Sequence, residues 1–306
     1  MVNKFVRKSK EEGKRGSSRL PLHFILVFPS ILVLALVILY PLVSSSLLSL
    51  FHYELTKPDE IKFTFLRNYN TMFHDETFWL AFKNTLIFTI ISVCVSLVIG
   101  LIGAIAIDQL PERMSGLRGL MLVPWIIPGV IVGFLFMLIF DVEVGVANVI
   151  LKNAGLIKTF LPWLMDEDLA MIAVIVANCW NQIPFYLLMF TAGLKAIPVD
   201  VKEAAIVEGA NRWQEFRYVT IPYLRGIIVI TSLLMVIRNF NNFPIIYTMT
   251  GGGPVYSTTT LVIYIYRLAF EQFNLGYASA VGIIWCLVLL LVSMLYVKML
   301  YQQQRV

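Results

Sequence analysis

Long stretches of this chain carry no charged side chain. Five runs contain no Asp, Glu, Lys or Arg: residues 20–53, 84–107, 119–140, 169–194 and 272–297. A helix rises about 1.5 Å per residue, so roughly 20 residues cross the hydrocarbon layer of a bilayer. A sixth run is apolar from Gly226 to Ile237 and then carries Arg238. Because 58% of the residues are hydrophobic, the sequence predicts an all-α polytopic membrane protein with six transmembrane helices.

Span positions and orientation follow from the same runs. The expected spans are residues 23–50, 84–107, 119–140, 169–194, 222–248 and 275–298, after a basic tail at 1–22. With six spans, most of the 24 Lys and Arg lie on the side that holds both termini, and the positive-inside rule makes that side cytoplasmic. No small-x-small cleavage site follows the first run, so we expect it to remain as a span. Cys94, Cys179 and Cys286 lie within spans, where we expect packing rather than disulfides or metal ligation.

Two kinds of functional group are missing from this sequence, and their absence narrows the possible classes of transport protein. None of the six contains Asp or Glu, the residues that proton- and sodium-coupled carriers commonly use. The chain also has no G-x-x-x-x-G-K-[ST] phosphate-binding loop. A transport protein of this composition would therefore take its energy from another polypeptide. A self-sufficient secondary carrier or channel is the less favoured alternative.

The most polar stretch in the second half of the chain is KEAAIVEGANRWQEFRYVTIPYL, residues 202–224. We expect a short helix up to Val207, with Asp200 as its N-cap and Glu203 at the third helical position. Gly209 permits a turn, and Asn211 can cap a second short helix. Two such helices form a compact knob that could dock into a groove on a cytoplasmic protein. The alternative from the residues alone is an amphipathic loop on lipid headgroups.

Several motifs here resemble a known family. The residues Glu203-Ala204-Ala205, Gly209-Ala210, Phe216 and Thr220-Ile221-Pro222 are similar to the EAA loop of permease subunits in binding-protein-dependent ABC importers. PWIIPG (124–129), NCWNQIPF (178–185), NFNNF (239–243) and TGGGP (250–254) resemble the sugar-importer branch, on the side of the maltose-type subunit. The resemblance implies a type I ABC importer permease fold over residues 23–306, with residues 198–222 as the coupling loop. The large outer domain and extra N-terminal spans of the maltose-type subunit are missing, so contacts made by those parts are not carried over.

The resemblance implies a permease subunit, not an enzyme, that forms a translocation path for a sugar or oligosaccharide in a bacterial cytoplasmic membrane. Its implied partners are a second, different permease, an ABC ATPase dimer and an extracytoplasmic solute-binding protein. ATP and Mg²⁺ would be bound by the ATPase, so no cofactor is expected in this chain. The residues implied to couple to the ATPase are Glu203, Ala204, Ala205, Glu208, Gly209, Trp213 and Phe216.

The expected substrate path is built from neutral amides and aromatic rings. Asn178, Asn181, Gln182 and Phe185 share one helical face by spacing, and amides can both donate to and accept from hydroxyls. The alternative for any single amide is a hydrogen bond between helices. The resemblance matches these positions to sugar-contacting ones: Trp125, Gly129, Asn178, Trp180, Asn181, Gln182, Asn239 and Asn242.

Two features keep alternatives open. Arg238 would cost at least about 2.5–3.5 kcal/mol at mid-bilayer unless it faced protein or a wet cavity. We favour a structural or outward-reaching role; the alternative is pairing with an anionic substrate such as a polyol phosphate. The TGGGP stretch, residues 250–254, predicts a tight re-entrant turn, with a flexible linker as the alternative.

Overall fold

The computed structural model describes residues 22–108 and 119–303, which are mostly helical. The chain divides into two compact units, Met1–Leu47 and Leu48–Val306. In the first unit, helix α1 covers Leu22–Leu34 and continues through a π-helical segment, Ala35–Leu39, into α2, Tyr40–Leu48. Apolar side chains on this helix, such as Val37 and Leu39, are exposed. This is the surface expected of a helix solvated by lipid.

Within its described residues, the second unit contains one small hairpin and is otherwise built mainly of α-helices, two of which are followed directly by short π-helical segments. The strands β1 and β2 are antiparallel, with Phe51 opposite Phe63. In chain order the elements are β1 (Phe51–His52), β2 (Lys62–Phe63), α3 (Arg67–Phe73), α4 (Glu76–Asp108), α5 (Val123–Ile126), α6 (Gly129–Ile139), α7 (Val146–Asn153), α8 (Glu167–Lys195), α9 (Val199–Val207), α10 (Arg212–Glu215), α11 (Ile221–Phe240), α12 (Pro244–Thr250), α13 (Leu261–Tyr266) and α14 (Leu275–Gln303).

Within the described residues, five helices are long and apolar enough to cross a membrane: Leu26–Leu48, Glu76–Asp108, Glu167–Lys195, Arg212–Phe240 and Leu275–Met299. The third expected span, 119–140, is not one continuous helix. Its main part is the shorter apolar helix α6, and α5 precedes it. The interruption falls at Ile127 and Pro128, because proline has no N–H to continue the helix and disfavours helical geometry in the residue before it. Ile127 is accordingly extended, with φ −67° and ψ 128°.

The fifth expected span, 222–248, also ends earlier than predicted. Helix α11 ends at Phe240, and α12 begins separately at Pro244. Asn241 has φ −106° and ψ 15°, outside regular helix geometry. Pro244 lies at the start of α12, where proline is well tolerated because its missing N–H would have no helical partner. Two of the six spans are therefore interrupted.

Small residues bring the long helices close together. Helices α4 and α8 form the most extensive helix pair, and Gly100 of α4 lies directly against Tyr186. Farther along α8, Gly193 lies against Leu224 and Ile227 of α11. Glycine lets helix backbones approach closely. The van der Waals contacts made at such close approaches help to drive helix association in membranes.

The TGGGP stretch is a tight turn, as predicted. Gly251 and Gly252 have φ of +61° and +92°, values that favour glycine. The Thr258 hydroxyl donates to the carbonyl of Gly253 at 2.8 Å, and the Thr259 hydroxyl donates to that of Gly252 at 2.7 Å. The backbone of the turn is thus held by side chains that follow it in sequence.

Candidate functional site

The interruptions in the third and fifth spans lie against each other. Gly129, the first residue of α6, faces Pro244 and Ile245 of α12; a Cβ on Gly129 would lie 3.1 Å from the Pro244 Cβ. Non-helical backbone at membrane depth is tolerated only where it is buried in protein or lines a wet cavity. This pair of interruptions, which we call the double break (residues 127–129 and 241–244), is therefore a candidate for the part of the path that handles substrate.

Four of the predicted amides meet beside the double break and bind one another. Asn178 Nδ2 donates to Asn239 Oδ1 at 2.9 Å, and Asn178 Oδ1 accepts from Gln182 Nε2 and Asn242 Nδ2, each at 2.8 Å. Gln182 and Asn239 also pair directly. All four side chains are buried. Spacing along α8 placed Asn178 and Gln182 on one face, and the structure shows that they bond to each other and to Asn239 and Asn242.

Asn181 lies beside this network with different partners. Its Nδ2 donates to the carbonyl of Pro124 at 2.6 Å and to that of Ile127 at 3.4 Å. Its Oδ1 accepts from Arg238 Nη2 at 2.8 Å. Arg238 therefore turns toward α8 and makes a structural contact, and does not extend outward to the membrane surface.

The aromatic residues predicted for the path occupy two environments. Trp125 packs against Phe185, with ring centroids 5.4 Å apart. Its indole Nε1 is buried and has no hydrogen-bond partner among the described residues. Trp180 packs edge-on against Phe136 at 5.5 Å, within an apolar cluster. Of these two tryptophans, Trp125 is therefore the one whose buried N–H is available to bond to a substrate.

Residues 198–222 form two short helices around a glycine. Helix α9 begins at Val199 with Pro198 as its N-cap, and no side chain caps it. The prediction that Asp200 is the N-cap is therefore wrong. Proline already has a suitable φ for the position before a helix, and Asp200 instead sits in the first turn, where an acidic side chain favours the helix dipole.

The remainder of the loop follows the predicted pattern. Gly209 has φ +83°. Asn211 caps α10: its side chain accepts from Gln214 N at 2.9 Å, and the Gln214 side chain accepts from Asn211 N at 2.8 Å. Trp213 and Phe216 lie with ring centroids 5.6 Å apart. Together these contacts give a compact two-helix loop.

The predicted coupling residues lie at the surface of that loop. Glu203, Ala204, Glu208, Gly209 and Trp213 are exposed, and Ala205 and Phe216 are half-buried. Lys202 lies 4.0 Å from Asp108 at the end of α4. A cavity of about 760 Å³ lies beside this contact, lined by residues that include Leu194, Arg212 and Phe216. The Lys202–Asp108 contact was not predicted from the sequence, because nothing local places the two residues together.

Asp75 is a second polar junction that sequence reasoning missed. The Tyr277 hydroxyl donates to Asp75 Oδ2 at 2.7 Å, and the Tyr264 hydroxyl donates to the same oxygen. Burial raises the pKa of Asp75, but hydrogen bonds from these hydroxyls and from the N–H groups of Thr77 and Phe78 outweigh it and hold the pKa below its ordinary value. Asp75 thereby joins the start of α4 to α13 and α14.

Comparisons with known proteins agree with this architecture. Residues 97–306 match the family model described as "Binding-protein-dependent transport system inner membrane component". The trehalose/maltose transport system permease protein MalF of Thermococcus litoralis is 31% identical over 302 residues, covering 97% of this chain and 98% of that protein. The sulfoquinovosyl glycerol transport system permease protein SmoG of Agrobacterium fabrum is 34% identical over 277 residues, covering 90% of this chain and 89% of that protein.

The fold also matches a solved transporter. A chain in the crystal structure of a bacterial alginate ABC transporter, in complex with an alginate pentasaccharide-bound periplasmic protein, superimposes with a TM-score of 0.76 at 22% identity, covering 90% of this chain and 92% of that one. At this identity the likeness establishes the fold alone. The family match and the relatives carry the remaining step: the chain belongs to the binding-protein-dependent transport system inner membrane components, and is a multi-pass permease subunit of an ABC importer.

Proposed function

We propose that this subunit passes a sugar or oligosaccharide through the double break and takes its driving force from a cytoplasmic ATPase that docks on residues 198–222. The single observation that carries the proposal is the form of that loop: two short helices around Gly209, with the EAA residues on its surface. ATP and Mg²⁺ would be bound by the ATPase dimer, and this chain would contribute no catalytic group.

The loop has the chemistry of a docking surface. Trp213 is 69% exposed, and tryptophan is one of the residues that most often carry the binding energy of a protein interface. Glu203 and Glu208 make no ion pair within the described part of the chain. Basic residues in a groove of the partner could pair with these two carboxylates while Trp213 fills the groove.

The loop can also pass movement to the spans. Lys202 on α9 lies 4.0 Å from Asp108 at the end of α4, and α10 leads through the π-helical segment Phe216–Thr220 directly into α11. A rigid displacement of the two short helices would therefore reach the second and fifth spans. On this proposal, both termini and residues 198–222 face the cytoplasm, as the distribution of Lys and Arg indicates.

Docking can be tested with two acidic residues that stand in different parts of the fold. Glu203→Ala should reduce uptake about tenfold or more, because losing one partner of a charge pair at an interface typically costs over 1.4 kcal/mol. Glu143→Ala, an exposed residue between α6 and α7, serves as the matched control. The ATPase should co-purify with wild type and the control in about equal stoichiometry. Normal uptake in Glu203→Ala would contradict the coupling role.

The resemblance to the family supports two further partners in this proposal. An extracytoplasmic solute-binding protein would deliver substrate, and a second, different permease would complete the path. The names of the relatives support a saccharide: trehalose/maltose for one, sulfoquinovosyl glycerol for another, and lactose for the permease protein LacF of Rhizobium radiobacter, 31% identical over 276 residues. Arg238 bonds to Asn181, so nothing in its contacts favours the polyol-phosphate alternative.

Within the path, Trp125 is the residue best placed to donate a hydrogen bond to a hydroxyl of the substrate. The amides Asn178, Gln182, Asn239 and Asn242 are occupied with each other and would have to exchange partners to bind sugar. The Trp125 indole N–H has no such partner in the described chain, and indole rings also cover the apolar faces of sugars. Trp125 precedes Pro128 by three residues, and Gly129 follows it directly.

A pair of tryptophan variants tests this site. Trp125→Phe keeps an aromatic ring and removes the N–H, so the apparent KM for uptake should rise roughly two- to tenfold. Trp285→Phe is the matched control, because its indole Nε1 is also buried without a partner among described residues but stacks on Phe240 in a different cluster. Equal KM values in the two variants would contradict a substrate contact at Trp125.

A further inference from the structure

The interruption in the third span leaves backbone carbonyls without their helical donors. In a continuous helix, the carbonyl of Pro124 would accept from the N–H of residue 128, but that residue is proline. The carbonyl of Ile127 would accept from Ile131, whose N–H instead donates to Pro128 O at 2.9 Å. Both carbonyls therefore need donors from elsewhere, because a buried backbone carbonyl without a hydrogen-bond donor is costly.

Asn181 supplies both donors from the neighbouring helix. Its Nδ2 lies 2.6 Å from Pro124 O and 3.4 Å from Ile127 O, and a primary amide carries two N–H groups. Asn181 is fully buried, and it occupies the middle of α8, which runs over Glu167–Lys195. The side chain thus takes the place of the N–H that Pro128 lacks.

Arg238 fixes which way that amide points. Its Nη2 donates to Asn181 Oδ1 at 2.8 Å, and a guanidinium can only donate. Rotating the amide by half a turn would set its NH₂ against the guanidinium and its oxygen against two carbonyl oxygens. One hydrogen bond from Arg238 therefore keeps both amide N–H groups directed at the break.

We propose that Asn181 and Arg238 act as a clasp that ties the break in the third span to the end of the fifth span. Asn181 replaces the missing Pro128 N–H, and Arg238 is a positioning residue that acts through Asn181. Because Arg238 lies in the last turn of α11, movement of that helix end would release the amide and, with it, the two carbonyls. The clasp makes the geometry around Trp125 and Gly129 depend on the position of α11.

A suppressor substitution tests the first half of the proposal. Asn181→Ala in the full chain, purified with its partner subunits, should lower the unfolding midpoint by roughly 2–8 °C, since two buried carbonyls lose their donors. Pro128→Ala restores an N–H for Pro124 O and should recover part of that loss in Asn181→Ala. It should recover none in Asn178→Ala, whose amide bonds to Asn239 and not to the break. Equal effects of Pro128→Ala in both backgrounds, or no recovery in either, would overturn the clasp.

The second half is tested by a double-mutant cycle and by kinetics. If Arg238 acts through Asn181, Arg238→Gln combined with Asn181→Ala should be no less stable than Asn181→Ala alone. Simple additivity would overturn the positioning role, and this arm also decides the matter if the Pro128 variants fail to fold.

The kinetic arm rests on the proposed function. Arg238→Gln should raise the apparent KM for saccharide uptake roughly three- to tenfold with a smaller change in maximal rate, and Arg238→Lys should recover part of the difference. An unchanged KM with a reduced maximal rate would contradict the positioning role and leave the proposed function intact. Absence of saccharide uptake by the wild-type complex would instead contradict the proposed function, while the stability results would still test the clasp.

Discussion

Gly133 of α6 faces Thr248 of α12 at a distance that leaves no room for a side chain. A Cβ on Gly133 would lie 2.7 Å from the Thr248 Cβ and 2.9 Å from its Cγ2. The two helices that follow the interruptions in the third and fifth spans are therefore closely packed at this point. Glycine at this position sets the spacing of the double break.

Gly133→Ala should lower the stability of the purified complex and reduce uptake. Overpacking of this kind costs about 1–3 kcal/mol, and the Thr248 Cβ is attached directly to the backbone and cannot swing away. Gly226→Ala and Gly282→Ala are controls, because a Cβ at either position meets nothing within 4 Å. Thermal unfolding should show a lower midpoint for Gly133→Ala only. An unchanged midpoint would show that α6 and α12 can separate without cost.

The sequence predicts those features of the fold that are determined by residues close together in the chain. The spans are predictable because hydrocarbon length and charge exclusion act on each segment separately. The same is true of the turn at Gly209 and the cap at Asn211, where backbone geometry or a side chain three residues away decides the outcome.

What the sequence could not predict depends on partners distant in the chain. The spacing of Asn178, Asn181 and Gln182 places them on one face, but it does not say that Asn178 bonds to Asn239 while Asn181 bonds to Pro124. Pro128 was visible in the motif PWIIPG and could have indicated the break in the third span. The Tyr277–Asp75 contact has no local signal at all.

We expect substitutions of Gly209 to act through its backbone conformation, and not through a clash of the added side chain. Its φ is +83°, and a Cβ there would meet nothing within 4 Å, so Gly209→Ala introduces strain of about 1–2 kcal/mol without a clash. Uptake should fall, and Gly209→Asn should fall less because Asn tolerates this conformation. Gly155→Ala carries matched strain, with φ +72° and open space, in a loop outside the coupling region. Equal losses of uptake in Gly155→Ala and Gly209→Ala would contradict a specific role for the coupling loop.

Orientation can be measured with single cysteines in a background without Cys94, Cys179 and Cys286. Met165→Cys and Val255→Cys, at positions 76% and 72% exposed, should react with a membrane-impermeant maleimide in intact spheroplasts. Val207→Cys, at a position 88% exposed, should react only after lysis, because we place the coupling loop in the cytoplasm. Labelling of position 207 before lysis, with 165 and 255 protected, would reverse the orientation.

Acid should weaken the junction at Asp75. Because its folded pKa is held below the ordinary value, the carboxylate contributes stability above pH about 3.9, and this is lost as pH falls through the lowered folded pKa. Wild-type unfolding midpoints in detergent should therefore drop below about pH 4, more steeply than those of Asp75→Asn, which has no proton to bind. Asp59→Asn removes an exposed carboxyl from the same connection between the first two spans and should keep the wild-type dependence. Tyr277→Phe removes one donor to Asp75 and should flatten the acid response in part. Parallel curves for wild type and Asp75→Asn would show that Asp75 does not stabilise the junction between α4, α13 and α14.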